Sequence, residues 1–137
     1  MLTEIRDALV AAVESPFAAA FPLVPMVVDN GPFDWNNPPA LFVEYQVEFN
    51  WGKRMTLGGP LKTRIMGFVY ANVRAGKGTG DRKALQVQDW FCAKLGEASL
   101  VAPGYRIILQ APRPEPLPDW NGWGSRGVKF SFTADPT

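Results

Sequence analysis

The sequence contains no histidine and only one cysteine, Cys92. Without histidine there can be no Ser-His or Cys-His nucleophile pair and no imidazole metal ligand, and the usual proton carrier near neutral pH is missing. A single cysteine cannot form an intrachain disulfide or a thiolate cluster, which is typical of a protein from a reducing compartment. The composition therefore excludes catalysis and metal binding that depend on histidine or on clustered thiolates.

Long apolar runs are missing as well. No stretch approaches the roughly 18 consecutive apolar residues that favour a membrane helix, so no membrane partner is expected. Residues 1–7 carry acidic charge early and lack the basic start and apolar centre of a signal peptide. A chain of 137 residues with 47% hydrophobic content suits one core, and we expect a single domain over residues 1–137.

A glycine-rich loop at residues 74–81 is similar at first sight to a phosphate-binding turn. A Walker loop requires Ser or Thr directly after its Gly-Lys, but Lys77 is followed by Gly78. The three glycines, Gly76, Gly78 and Gly80, also lack the Gly-x-Gly-x-x-Gly spacing of a dinucleotide site. We interpret the loop as a structural connection between a strand and a helix whose first turn it caps.

Helix and strand periods can be followed along most of the chain. Helices are predicted over residues 2–14 and 82–95, and strands over residues 25–28, 40–49, 63–73, 105–109 and 127–133. The first helix places Ile5, Leu9 and Val13 on one stripe. Pro16 should end it, because its ring disfavours helical geometry in the preceding residue, and the alanine-rich residues 17–21 suit a short second turn of helix. The pattern predicts an α+β fold, mainly an antiparallel sheet of about four to five strands with two helices packed on one face.

Two connections differ from ordinary turns. Residues 50–60 join two long strands, and eleven residues is long for a hairpin loop. Residues 112–118 carry a proline at every second position, which predicts a stiff, extended segment. Trp51, Trp120 and Trp123 lie in or beside these connections. Aromatic side chains presented from turns are good interface anchors, and caps over the edge of the sheet are the alternative.

The carboxylates do not suggest acid–base chemistry. Glu44 and Glu48 alternate with apolar residues on a predicted strand, which places both on its solvated face. At ~3.3 Å per residue they are about 13 Å apart, too far for the usual paired-acid mechanisms. We therefore expect that the protein is not an enzyme.

Charge is distributed unevenly along the chain. Residues 1–50 hold seven acidic side chains against one basic side chain, whereas residues 51–83 hold eight basic against one acidic. Opposite patches on one subunit suit a head-to-tail contact, in which Glu44 and Glu48 would be the first candidates to face Arg64 of the next copy. The alternative is that the two segments pair within one subunit.

The basic segment, residues 51–83, also raises a second possibility, a small nucleic-acid-binding module. Lys53, Arg54, Arg74 and Lys77 are predicted in loops, with Trp51 nearby as a stacking platform. Against it stand a sequence pI near 7.8 and the lack of any known nucleic-acid-binding motif.

Five short elements follow one another between residues 25 and 133. They are Leu41-Phe-Val-Glu on a strand, a loop ending in Thr56-Leu-Gly, Arg64 and Gly67 opening the next strand, a glycine-rich loop at residues 75–80, and Asn121-Gly-Trp before the last strand. In this order and spacing the chain resembles the tail terminator family of long-tailed bacteriophages, small proteins that close the end of the tail tube. Two features depart from the family: Glu44 stands where a basic residue is frequent, and the proline-rich segment before Trp120 is longer.

The resemblance implies a structural virion protein without catalytic residues or an obligatory cofactor. It implies a ring, usually of six copies, that caps the head-proximal end of the tail tube, ends tail elongation and provides the surface for head-tail joining. The implied partners are further copies of the chain, the major tail tube protein and the head-tail connector or stopper protein, with DNA passing through the lumen only as cargo. The implied location is the neck end of the virion tail, after assembly in the bacterial host's cytoplasm.

Two observations, the charge distribution and the tryptophans near turns, define a set of candidate contact residues. The residues that we expect at subunit or partner interfaces are Lys53, Arg54, Arg64, Arg74, Lys77, Glu44, Glu48, Trp120 and Trp123.

Overall fold

In the described residues, two helices are followed by three strands, a third helix and four further strands. The structure is a computed structural model that describes residues 2–29, 31–54, 63–76, 81–117 and 124–137. In chain order the elements are α1 (Leu2–Ala11), α2 (Glu14–Ala20), β1 (Met26–Val28), β2 (Leu41–Arg54), β3 (Thr63–Ala75), α3 (Asp81–Leu95), β4 (Ser99–Ala102), β5 (Tyr105–Leu109), β6 (Arg113–Pro116) and β7 (Gly124–Pro136). The predicted α+β class is confirmed.

The strands form a single sheet in the order β1-β2-β3-β7-β5-β4, and β6 pairs with β7 beside that path. All pairs are antiparallel except β1 with β2, which is parallel. Within the described residues the sheet therefore has seven strands and mixed character, where the sequence predicted about four to five mainly antiparallel strands. The two strands that were not predicted are β4, which is only four residues long, and the proline-bearing β6.

β6 lies within the segment that was predicted to be stiff and extended. It is extended, but it is also a sheet strand, with Arg113 opposite Lys129 and Glu115 opposite Gly127. Proline lacks an N–H group, so it is tolerated only where that group would face away from a ladder. Pro114 and Pro116 therefore define β6 as an edge strand.

One face of the sheet carries the core. Along β3 every second residue from Ile65 to Ala75 is buried, and the residues between them are partly exposed. This alternation follows from the two-residue period of a strand. The helices cover the buried face, and from α3 the side chains Val87, Phe91 and Leu95 are fully buried.

Tyr45 ties α1 to the centre of the sheet. Its side chain is fully buried, and its hydroxyl donates a 2.8 Å hydrogen bond to the carbonyl of Leu9. Ala71 lies opposite it on β3, and the small side chain leaves room for the tyrosine ring. The ring of Phe91 from α3 lies 6.1 Å away between centroids, so Tyr45 contacts helices from both ends of the chain.

The predicted end of the first helix was wrong. α1 ends at Ala11 and α2 begins at Glu14, so Pro16 lies in the first turn of α2. Proline is accepted there because the first N–H groups of a helix have no acceptor within it. The helix resumes instead of ending, and the N–H of Phe17 donates to the carbonyl of Val13 at 2.8 Å.

The β2–β3 hairpin contains a bulge beside a glycine. The pairing register shifts between Phe49 and Trp51, so Asn50 is an extra residue on β2. Across from it, a Cβ atom added to Gly67 would collide with the Glu48 carbonyl oxygen and lie 2.7 Å from the Phe132 ring. Because Gly67 has no Cβ, the Glu48 carbonyl of the bulged strand and the Phe132 ring can both lie close to its Cα.

We predict that Gly67→Ala lowers the free energy of unfolding by about 2 kcal/mol or more, because the backbone carbonyl cannot move away without distorting the hairpin. Gly124→Ala is the matched control, since its Cβ would meet nothing closer than 3.9 Å. Urea denaturation of both variants measures the difference. Equal stabilities of the two variants would contradict this reading of Gly67.

A second prediction concerns Tyr45. Burial, and next to it the charge of Asp29, raises the Tyr45 pKa, so the folded chain holds the phenol proton more tightly than the unfolded chain. The raised pKa adds to the free energy of unfolding. This contribution is fully present below the ordinary tyrosine pKa of about 10, and it is lost as pH rises above that value.

Tyr45→Phe should cost about 1–2 kcal/mol at neutral pH, because the Leu9 carbonyl loses its buried donor. It should also make the loss of stability above pH ~10 less steep. Urea titrations at several pH values test both effects. A parallel shift of the two pH profiles would show that Tyr45 is not the titrating group.

Candidate assembly surface

The predicted contact residues concentrate on the β2–β3 hairpin. Glu44 and Glu48 lie on β2, and Arg64 and Arg74 lie on β3. Lys77, Trp120 and Trp123 lie outside the described residues, and nothing in the structure bears on their predicted role.

Four residues predicted in loops lie in strands. Trp51, Lys53 and Arg54 belong to β2, and Arg74 belongs to β3. The predicted connection at residues 50–60 is shorter than expected, because β2 continues to Arg54 and pairs with β3 through the Arg54–Thr63 position. The bulge explains why the alternation in the sequence becomes unclear at Asn50 although the strand goes on.

Arg74 and Glu44 form an ion pair within the chain. The Arg74 Nε donates to Glu44 Oε1 at 3.0 Å, and its Nη1 donates to the Ser125 hydroxyl at 2.7 Å. Both charged side chains are mostly covered, with 16% and 18% exposure. For this pair the alternative of pairing within one subunit holds, so Glu44 is not free to face Arg64 of a neighbouring copy.

Arg64 also has its carboxylate partner in the same chain. Its Nε and Nη2 donate to the two oxygens of Asp135 at 2.6 Å and 3.2 Å. This hydrogen bonding, together with the charge of Asp135, raises the Arg64 pKa. A charge reversal at Arg64 would therefore act first on the fold of the subunit, through repulsion from Asp135.

Aromatic side chains occupy the middle of the sheet face opposite the helices. Phe68 and Tyr70 lie next to each other on β3, with ring centroids 6.2 Å apart. The ammonium group of Lys129 on β7 lies 4.0 Å from the Phe68 centroid and 5.6 Å from that of Tyr70. A cation at this distance over a ring is attracted by its quadrupole. Burial first, and then the charge of Glu48, raises the Tyr70 pKa.

Sequence reasoning missed Phe68 and Lys129 as part of this surface. The period of the strand could have found Phe68, because it is even-numbered on a strand whose core residues are odd-numbered. No local signal identifies Lys129, since its position over the ring depends on the long-range register that pairs it with Tyr70.

The ion pairs also bear on nucleic-acid binding. A protein that binds nucleic acid neutralises phosphates with lysine and arginine side chains and so releases the counterions of the phosphates. Arg64 and Arg74 already neutralise carboxylates in their own chain, and Lys129 lies over an aromatic ring. In the described part of the basic segment, no observation favours this second function.

The remaining reactive groups do not converge. Cys92 is half-buried, and burial followed by the charge of Asp89 raises the pKa of its thiol. Among the described residues, no three His, Cys, Asp or Glu side chains come together as metal ligands would. The described helices include none that is long and apolar enough to cross a bilayer.

We predict that the Glu44–Arg74 pair contributes measurably to the stability of the subunit. A double-mutant cycle with Glu44→Gln and Arg74→Met should give a coupling energy of about 1 kcal/mol, because both side chains are mostly covered. The more exposed Arg6–Asp7 pair, 3.5 Å apart with 38% and 64% exposure, is the control and should give much less. Equal couplings in the two cycles would show that coverage of the pair adds nothing.

Comparison with known proteins finds the fold and no family. No protein-family model and no curated protein matches the chain. Eight chains of solved structures match it. One of them superposes with a TM-score of 0.78 over 98% of this chain and 95% of its own length, at 17% sequence identity, and its name states no activity. At this identity the likeness shows that the two chains share a fold.

Proposed function

We propose that this chain is a structural virion protein that closes the head-proximal end of the tail tube of a long-tailed bacteriophage. Copies of the chain form a ring, of six by the family resemblance, that ends tail elongation and gives the head its surface for joining. The protein performs no catalysis and requires no cofactor in this role. Its partners are other copies, the major tail tube protein and the head-tail connector, and DNA passes through the lumen.

The β2–β3 hairpin is the observation that carries the proposal. Two of the five short elements behind the resemblance belong to it: the strand that opens at Leu41, and the pair Arg64 and Gly67 on the returning strand. The two residues on β3 have physical roles that explain why a hairpin of this kind needs them. Arg64 pairs with Asp135, and Gly67 admits both Glu48 and Phe132.

The separation of charge along the sequence supports head-to-tail contacts. The acidic side chains Asp7 and Glu14 are exposed on the helical side of the subunit. Lys53 and Arg54 end the long strand of the hairpin. Different surfaces of opposite charge on one subunit allow a heterologous contact, which closes into a ring when the rotation permits.

Removal of the gene from a phage or prophage that encodes this chain tests the proposal. Without the terminator we expect tails of uncontrolled length that lack heads, and a plasmid copy of the wild-type gene should restore normal particles. Electron microscopy measures tail length and head attachment. Antibody labelling of complemented particles should mark the head-proximal tail end.

Tails of normal length with heads attached, in the absence of the gene, would refute the proposal.

In parallel, the purified chain should show no salt-sensitive binding to single-stranded or duplex DNA. Binding that weakens steeply with added salt would favour the nucleic-acid module instead.

A further inference from the structure

The last strand of the sheet path, β4, is an edge strand with a neutral and partly apolar surface. It reads Ser-Leu-Val-Ala over residues 99–102 and pairs with β5 on one side only. Proteins usually blunt such an edge with proline, lysine or a bulge, and β4 contains no proline and no charged residue. Val101 is 81% exposed, and Ile108, diagonal to it on β5, is 41% exposed. The edge therefore suits contact with another strand.

Two residues of β4 direct their backbone groups away from the sheet. The N–H of Leu109 donates to the carbonyl of Ala98 at 2.9 Å. Because hydrogen-bonded positions alternate along an antiparallel strand, the residues of β4 that bond to β5 are the even-numbered ones. The N–H and carbonyl groups of Ser99 and Val101 therefore point outward, and none of these four groups has a partner among the described residues.

The contact between α1 and β4 lies on the core side of the strand. Leu100 and Ala102 turn toward the core cluster, to which Leu9 of α1 also belongs, and α1 contacts β4 there. Ser99 and Val101 are exposed on the opposite face. None of the outward backbone groups is therefore taken up by the helix.

The edge strands β6 and β1 offer less to a further strand. At β6, Pro114 and Pro116 interrupt the row of donors. At β1, the Val28 carbonyl accepts from the N–H of Gly31 at 2.8 Å, so Met26 is the only residue of that strand with both outward groups free. Of these three edge strands, only β4 presents two successive outward positions with all their groups free.

The β4 edge is complementary to itself in an antiparallel pairing. When Leu100 lies opposite Leu100 of a second copy, Ser99 faces the second copy's Val101, and Val101 faces its Ser99. Each of these two facing pairs can exchange two hydrogen bonds, so every outward group of both copies finds a partner. Because the same edge is used by both copies, the contact is two-fold.

Charge favours the same antiparallel arrangement. Glu97 precedes β4, and Arg106 lies opposite Val101 on β5; both charged side chains are exposed. Neither has an ion pair among the described residues, because the carboxylate opposite Arg106, that of Asp135, pairs with Arg64 instead. Antiparallel pairing brings Glu97 to about 12 Å, between Cα atoms, from the second copy's Arg106. The two long side chains can span this distance.

We propose that free subunits pair through their β4 edges, antiparallel about a two-fold axis at Leu100, so that the two sheets continue across the contact. The partner is a second copy of this chain, because the hydrogen-bonding groups and the flanking charges of the edge match those of an identical edge. The inference goes beyond the proposed ring, whose head-to-tail contact uses two different surfaces. Neither contact depends on the other.

Cross-linking of single-cysteine variants tests the pairing and its register. Ser99→Cys and Val101→Cys, each in a Cys92→Ser background, should form a disulfide when mixed, because facing hydrogen-bonded residues lie about 5.5 Å apart between Cα atoms. Neither variant should link to itself readily, since identical positions lie about 8 Å apart, beyond the reach of a disulfide.

We expect the mixture to react at least about tenfold faster than either variant alone. Peptide mass spectrometry identifies the linked pair. Equal rates in the mixture and in the single variants, or no disulfide in any sample, overturn the inference.

Charge exchange gives a second, independent measurement. Glu97→Arg alone and Arg106→Glu alone each place two like-charged pairs across the contact, and each should weaken dimerisation about tenfold. An equimolar mixture of the two variants should recover the wild-type affinity, because each pair between the unlike copies again joins opposite charges. Analytical ultracentrifugation measures association, and melting temperatures confirm that each variant is folded.

Arg82→Glu and Asp89→Arg are the matched controls, because both positions are exposed and lie on α3. These controls should dimerise as the wild type does, alone and mixed. A wild-type chain that stays monomeric up to roughly millimolar concentration overturns the inference. Folded Glu97→Arg and Arg106→Glu variants that associate as the controls do overturn it as well.

Discussion

The packing of the subunit depends on Tyr45. A phenol at the centre of the sheet reaches one helix through a hydrogen bond to Leu9 and another through the Phe91 ring. The residue opposite it, Ala71, must stay small for the ring to fit. Because α1 and α3 lie far apart in the sequence, this one side chain links the first helix and the later part of the chain to the same point. The same helix α1 also contacts β4, the last strand of the sheet path.

The charges of the hairpin serve two separate purposes. The arginines of β3 neutralise carboxylates of the same subunit, and this holds β3 to its neighbours on both sides. Other charges, such as that of Glu48 on β2, stay exposed and are available in our proposal for contacts beyond the subunit. The separation of charge along the sequence is therefore partly internal to the fold, and the summed count of each segment overstates what a neighbouring copy can meet.

How much could be predicted from the sequence differs from element to element. The period of two identifies β3 and the start of β2, and the spacing of four identifies α1, because in these elements one face is buried. β4 is too short for a period to emerge, and β6 carries prolines that are depleted in most strands. The prediction that the first helix ends at Pro16 was wrong, because proline is also accepted in the first turn of a helix. Which of the two applies here depends on the packing of Phe17, which the sequence alone does not give.

The surface was less predictable than the fold. Arg64 and Arg74 could be recognised as candidates, but their partners Asp135 and Glu44 follow from strand register, which the linear sequence does not contain. The apolar groove that Phe17 and Phe21 line on one side and Met26 and Val28 on the other could not be found from the sequence, because it exists only once α2 lies beside β1. Its lining residues look like ordinary core residues in the sequence.

The prolines of β6 have a consequence for how separate copies of the chain can meet. An edge strand with free N–H and carbonyl groups is a template on which a strand of another molecule can add. At β6 the positions of Pro114 and Pro116 cannot donate to a further strand. Strand addition is therefore blocked at this edge, and copies of the chain can join through a shared sheet only at other edges.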